Sequence, residues 1–413
     1  MTSRQPLSAL RILPYLAKWT LIAALVAAAS GSASALFLWA LEQATSTRNS
    51  HPWLIWLLPI AGWLVSWVYL KVGTQVEAGN NLLIDEIHDP RKVVPLRMAP
   101  LVLGATVISH LFGASVGREG TAVQMGGSLA DQLTHLFRLR HEERRIVLMA
   151  GISAGFASVF GTPLAGAIFA LEVLAIGRLR YDAIFPCMLA AILADQVCMA
   201  WGIQHSHYAA GALPAISAWS LLAVLLAGLA FGLTAWLFAS STHALTALLK
   251  RMLPYAPLRA LAGGALLALA VAVLGQRYIG LGIPVMLEAF QHPLPWWDSA
   301  GKLVFTVASL GSGYKGGEVT PLFFIGATLG NALAPLLHLP FGMLAALGFV
   351  AVFAGAANTP LACTIMAIEL FGPQLGPYAA LACVMAYLCS GHSGIYRAQT
   401  VAVHKHRVGP PEA

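Results

Sequence analysis

Residues 161–174 read GTPLAGAIFALEVL, and residues 358–371 read NTPLACTIMAIELF. Seven of the 14 aligned positions are identical at an offset of 197. Two apolar stretches share Ala, Leu and Ile by composition alone. They do not by composition share Thr-Pro-Leu-Ala followed by a glutamate set in apolar sequence. Upstream, at an offset of 199, GREGT (117–121) faces GGEVT (316–320), with Gly, Glu and Thr in common. The chain therefore reads as a duplication covering about 50–205 and 217–392, with a C-terminal helix and tail expected over 393–413. In each copy the Thr-Pro pair marks a helix start, with Thr162 and Thr359 as caps and Pro163 and Pro360 in the first helical position.

What surrounds these stretches sets the solvent. Of 413 residues, 58% are hydrophobic and only 10% charged, and the mean hydropathy is +0.74. A soluble domain carries about 25% charged residues to solvate its surface. This chain reads as an all-α polytopic membrane protein forming a single transmembrane domain over 1–413. Stretches 19–41, 52–72, 181–202, 217–239 and 258–275 are long enough to span, since a bilayer takes about 20 apolar residues. Other stretches, including 121–137, 146–160, 162–176, 320–337, 340–356 and 359–372, are shorter and broken by Gly and Pro. Broken, tilted helices are tolerated in lipid only where protein or a cavity covers the freed backbone groups. Paired with a duplication, they point to a transporter built from two inverted repeats.

Other classes drop out. The net charge of +7 sits in short runs between spans, such as Arg138, Arg140, Arg144 and Arg145, as the positive-inside rule expects. This speaks against nucleic acid as a partner and places the 138–145 segment on the cytoplasmic side. Cys187, Cys198, Cys363, Cys383 and Cys389 lie singly in apolar runs, and read as core residues. His205/His207 and His404/His406 are His-x-His pairs with no third ligand nearby in sequence, so no metal is expected. No HExxH, GxSxG or Walker-type run is present, so no enzyme, cofactor or ATP-driven pump is expected. The apolar run from Leu21 has no convincing cleavage site and reads as a first helix rather than a signal peptide.

Two polar breaks carry the chemistry. GASVGREGT (113–121) and GSGYKGGEVTP (311–321) each open directly into apolar sequence. Gly-rich backbone entering a helix presents free N–H groups and the positive end of the helix dipole, which suits an anion. An ionised carboxylate in a membrane segment is costly, so Glu119 and Glu318 pair, protonate or function. A charged carboxylate at an anion-attracting helix end competes with the anion, and a protonated one yields the seat. The bland alternative is an ion pair of Glu119 with Arg118 and of Glu318 with Lys315. Two further breaks are Gly79-Asn80-Asn81, whose amides offer uncharged donors, and Ser393-Gly394-Ile395-Tyr396. Glu172 and Glu369 recur in the repeat and read as locks on helix packing. Trp296-Trp297 reads as an interfacial pair.

Together these breaks resemble the CLC family of chloride channels and anion–proton antiporters, in order and spacing, over about 70–400. The resemblance implies a homodimer with one anion pathway per subunit, and maps the family's gating glutamate onto Glu119. Several positions depart from the chloride pattern. Gly79-Asn80-Asn81 stands in place of a Ser-containing break, Thr121 in place of Pro, and GGEVTP in place of GxFxP. Val173 stands in place of the inner proton-accepting glutamate. These departures look like the family's fluoride–proton antiporter branch. The implied function is fluoride export in exchange for protons across the plasma membrane, the inner membrane in a bacterium, with a chloride–proton antiporter or passive anion channel as the alternative. The implied proton-handling residues are Glu119 and Glu318. Those implied around the anion are Asn80 or Asn81, Thr320, Val319, Gly317, Tyr396, Gly120 and Thr121. With 17 residues after Tyr396, no soluble regulatory domain is expected.

Overall fold

The computed structural model describes residues 12–205 and 208–406. It is helical almost throughout, and six helical stretches are long and apolar enough to cross a membrane. Helix α1 (Leu13–Ser50) runs 38 residues, about 57 Å at 1.5 Å per residue and well beyond the 19–41 expected. Its last turn holds Arg48 buried. After α2 (Leu58–Val68) come α3 (Asn80–His88), α4 (Met98–Leu111), α5 (Glu119–Asp131) and the single turn α6 (Leu133–Leu136). The first half closes with α7 (His141–Phe160), α8 (Pro163–Glu172) and α9 (Ile184–Ala200).

The second half contains α10 (Ala218–Met252), α11 (Ala256–Leu274), α12 (Ile283–Ala289) and α13 (Asp298–Gly311). Then follow α14 (Val319–Leu337), α15 (Phe341–Ala357), α16 (Pro360–Phe371) and α17 (Gly376–Cys389). At 19 residues α14 is itself a candidate span, where the sequence suggests only a short piece. Its internal Pro335 falls in the last turn and leaves most of the helix intact.

The core lies where α7 and α15 run. Both are buried along nearly their whole length, from Val147 to Phe160 and from Gly342 to Ala357. Glycines let the backbones touch. A methyl on Gly126 would overlap Gly151 O, and one on Gly326 would overlap Gly348 O. Small residues of this kind let membrane helices approach closely, and the two contacts occupy matching places in the two halves.

The breaks at 161–163 and 358–360 follow from local chemistry. Gly161 (φ 72°) and Asn358 (φ 58°) end α7 and α15 in the left-handed region, where Gly and Asn pay least. Pro163 and Pro360 then restart the chain as α8 and α16. Thr162 and Thr359 stand at the cap positions, but neither side chain caps. Glu369 takes the N–H groups of Leu164 and Ala165 at 2.9 and 2.8 Å. Glu172 takes those of Leu361 and Ala362 at 3.0 and 2.8 Å. A carboxylate satisfies two orphan amides and opposes the dipole, which a hydroxyl does not, so the cap expected of threonine passes to the opposite helix.

Residues 393–406 form turns and a two-residue strand rather than the expected helix. Thr400–Val401 pairs in parallel with Ala175–Ile176. Gln399 donates to the carbonyls of Val173 and Ala357. These bonds draw the segment out along the protein, where a helix could not reach all of them.

Candidate functional site

The two glycine turns meet. Gly117 N–H donates to Gly317 O at 2.6 Å, and Gly317 N–H donates to Gly117 O at 2.8 Å, forming an isolated antiparallel bridge. Both residues are glycine for a steric reason. A Cβ on Gly317 would lie 2.7 Å from Gly120 N, and one on Gly117 would lie 2.9 Å from Gly317 O. The bridge sets the first turns of α5 and α14 beside each other, near the middle of the protein. The far end of α5 is anchored by Asp131, which accepts from Arg144 Nε at 2.8 Å, while Arg144 also pairs with Glu86 on α3 at 3.0 Å.

Glu119 is fully buried and is the first residue of α5. Its carboxylate does not serve its own helix alone. It reaches across to α14, accepting from Thr320 N–H at 3.0 Å and from the Thr320 hydroxyl. It also accepts from Arg118 N–H at 3.2 Å, and Arg118 Nε stands 3.4 Å away. Three donors and a nearby guanidinium thus surround one carboxylate at the positive end of a helix, the surroundings a small anion would need.

Glu318 stands at the position before α14, and its side chain makes no cap hydrogen bond there. Lys315, its sequence-level alternative partner, lies over the Tyr69 ring at 4.4 Å, and among the described residues Glu318 has no ion pair. Glu318 lines a cavity of about 590 Å³ together with Asn80, Asn81, Gln124, Lys315, Tyr396 and Arg397. Glu119 lines neither this cavity nor the second one described below.

The remaining expected residues divide. Asn80 stands beside the start of α5, since a Cβ on Gly120 would lie 3.0 Å from Asn80 Nδ2 and 3.9 Å from Glu318 Oε2. Asn80 Oδ1 is buried with no partner. Asn81 is tied elsewhere: its Oδ1 accepts from Ala398 N–H at 3.0 Å, which fastens the segment bearing Tyr396. Tyr396 is buried, with its ring edge-on to Phe169 at 6.3 Å. The Thr121 hydroxyl is bonded to that of Thr106 at 2.7 Å. Gly317 contributes closeness rather than a donor, since its N–H is spent on the bridge. Among the described residues no hydrogen bond takes the N–H of Gly120, Thr121 or Val319, so these remain free at the two helix ends. Of the histidine pairs, His205 stands 3.3 Å from Asp195, and His404 and His406 pack against His392. His207 lies outside the described residues.

Sequence reading overlooks Gln124 and His243. Gln124 sits on α5, its Nε2 3.2 Å from where a Cβ on Gly79 would be. A polar residue at that position among the apolar letters of 121–137 is the signal that could have found it. His243 donates from Nε2 to Gly394 O at 2.9 Å and accepts at Nδ1 from Arg397 Nε at 3.1 Å, bracing the Tyr396 turn from α10. Nothing in its apolar surroundings marks it.

A bridged pair of glycine turns, a buried carboxylate between them and broken helices converging on it point to an anion-transport protein of the CLC type. A family model described as voltage gated chloride channel matches residues 57–391, and the chain belongs to that family. It is 66% identical over 410 residues to a protein of Pseudomonas syringae pv. tomato named chloride/fluoride channel protein, covering 98% of this chain and 91% of the relative. Among solved structures, a CLC-type fluoride/proton antiporter superposes with a TM-score of 0.92 at 35% identity, covering 94% of this chain and 99% of that one. A slow cyanobacterial Cl⁻/H⁺ antiporter shares the fold, with a TM-score of 0.79 at 21% identity over 92% of this chain and 96% of that one.

Proposed function

We propose that this chain exports fluoride in exchange for protons, as a homodimer of two inverted-repeat subunits in the inner membrane, with Glu119 as the gate. One observation carries the reading: the Glu119 carboxylate sits on the first turn of the opposing helix, held by Thr320 N–H and hydroxyl. Charge and acceptor oxygens make that carboxylate a tethered stand-in for the anion. Taking up a proton removes the charge that holds it there, and the free anion then takes its place. Each anion that enters is thereby linked to a proton on Glu119.

Protons need a route to this buried group. Val173, which occupies the inner acceptor position of chloride–proton relatives, is a buried valine and carries none. Glu318 faces the aqueous cavity on one side and Gly120 on the other, which suits it to pass protons to the gate. Fluoride is smaller and more strongly hydrated than chloride, so dehydrating it requires strong donors close by. The Asn80 amide, the Thr320 hydroxyl and the free N–H groups of Gly120, Thr121 and Val319 provide them.

Purified protein in liposomes with a fluoride-selective electrode tests the reading. An imposed pH gradient is expected to drive fluoride uphill, with chloride moving far more slowly. Chloride moving as fast as fluoride would favour a chloride–proton antiporter. Fluoride flow indifferent to the pH gradient would favour a passive channel.

A further inference from the structure

A second cavity, of about 980 Å³, lies at the opposite end of α1 from Lys18, which pairs with Glu143 beside the arginine-rich segment. Its walls include Arg48, Arg118, Arg277, Ile279 and Gly282. Arg277 is neutralised by two bonds to Asp298. Arg48 is not neutralised. It is 7% exposed, and it donates from Nη1 to the His110 carbonyl at 3.0 Å and from Nη2 to Asn49 Oδ1 at 3.3 Å. Its Nε has no partner. Among the described residues no carboxylate pairs with it.

Behind the wall stands a second buried cation. Lys302 is 0% exposed and donates to the carbonyls of Tyr278 and Gly280 at 3.0 and 2.6 Å, leaving the third ammonium proton unassigned. It too has no carboxylate partner among the described residues. The two cations flank one residue, because a Cβ on Gly280 would lie 2.5 Å from Arg48 Nη1. Gly280 N–H is in turn bonded to Ala114 O at 3.1 Å, so this loop is fastened to the turn that carries the gate. One more nitrogen near it, His110 Nε2, is buried and unpartnered, whereas Arg118 Nε stands 3.4 Å from the Glu119 carboxylate.

Buried cations without counter-charges are costly, and a protein tolerates them where an anion visits. We infer that this cavity holds an anion-binding site separate from the Glu119 seat, walled by Arg48 and Arg118 and backed by Lys302. It is the station at which the transported ion waits on the face away from the arginine-rich segment. Its ligand class is a small inorganic anion, and for this transporter fluoride. The site rests on the fluoride–proton reading above.

Fluoride flux is measured in liposomes across a range of fluoride concentrations. Wild-type flux is the control for the functional reading, and its absence would sink that reading and this inference with it. With wild-type flux established, Arg48→Met is expected to raise the fluoride KM about tenfold while the maximal rate stays within about twofold. Arg48→Lys should restore most of the affinity, as a merely structural arginine would not. Lys302→Met should shift KM in the same direction by a smaller factor, and it serves as the test if Arg48→Met fails to fold. An unchanged KM in the folded variant, or a fall in maximal rate alone that lysine does not rescue, overturns the site.

Discussion

Two pairs of glutamates face each other across the two halves of the molecule, and they behave differently. Glu172 and Glu369 are reciprocal: each carboxylate caps the helix of the other half, with two amides at 2.8–3.0 Å on both sides. Glu119 and Glu318 are not. Glu119 caps α14 through Thr320, while Glu318 leaves the matching amides of α5 free and turns to a cavity. Where both helix ends are taken by carboxylates, the seam is closed and structural. Where one is taken and its counterpart is open, free amides are left at the start of α5, which the proposed function assigns to a mobile anion. Symmetry of sequence thus yields a lock at one seam and, in the proposed reading, a gate at the other.

This contrast can be broken by substitution. Glu119→Gln removes the titratable group from the open seam, and proton-driven fluoride accumulation should fall a hundredfold or more, roughly to background. Simultaneous recordings of fluoride and pH check this, and coupling that survives would leave the gate without its acid. Gly317→Ala presses a methyl to 2.7 Å from Gly120 N. It should cost about 2 kcal/mol or more through strain, read as a lower Tm together with lost flux. Glu172→Ala and Glu369→Ala unlock the closed seam, each costing about 1–2 kcal/mol from uncapped amides. Their proton-to-fluoride ratio should stay at the wild-type value, and a changed ratio would erase the distinction between the seams. The smallest effect is expected of Thr162→Val. The Thr162 hydroxyl is buried without a partner, so the substitution should move stability by no more than about 0.5 kcal/mol. A loss of about 1 kcal/mol would instead restore the threonine cap that the carboxylate displaces.

Much of this was legible in the letters because the duplication placed equivalent residues in register. The 161–174 and 358–371 match foretold that Glu172 and Glu369 lock packing. GREGT opposite GGEVT singled out the turns that form the bridge. What the letters withheld depends on contacts between distant segments. Which of Asn80 and Asn81 stands beside Gly120 depends on Ala398, 317 positions beyond Asn81, whose N–H donates to the Asn81 side-chain oxygen. Thr121 looked like a donor to the anion, and only the fold shows its hydroxyl spent on Thr106. The tail read as a helix, yet its backbone pairs with Ala175–Ile176. Arg48 carries no local mark of its role, because the loop it abuts lies more than two hundred residues away.

The glycine bridge also bears on heredity. Gly117 and Gly317 are encoded 200 codons apart, yet a side chain on Gly117 would press on Gly317 O, and one on Gly317 would press on Gly120 N. Two distant stretches of the gene therefore drift as one, and a recombination that pairs one half with a foreign partner inherits the burden of matching a seam without room for error.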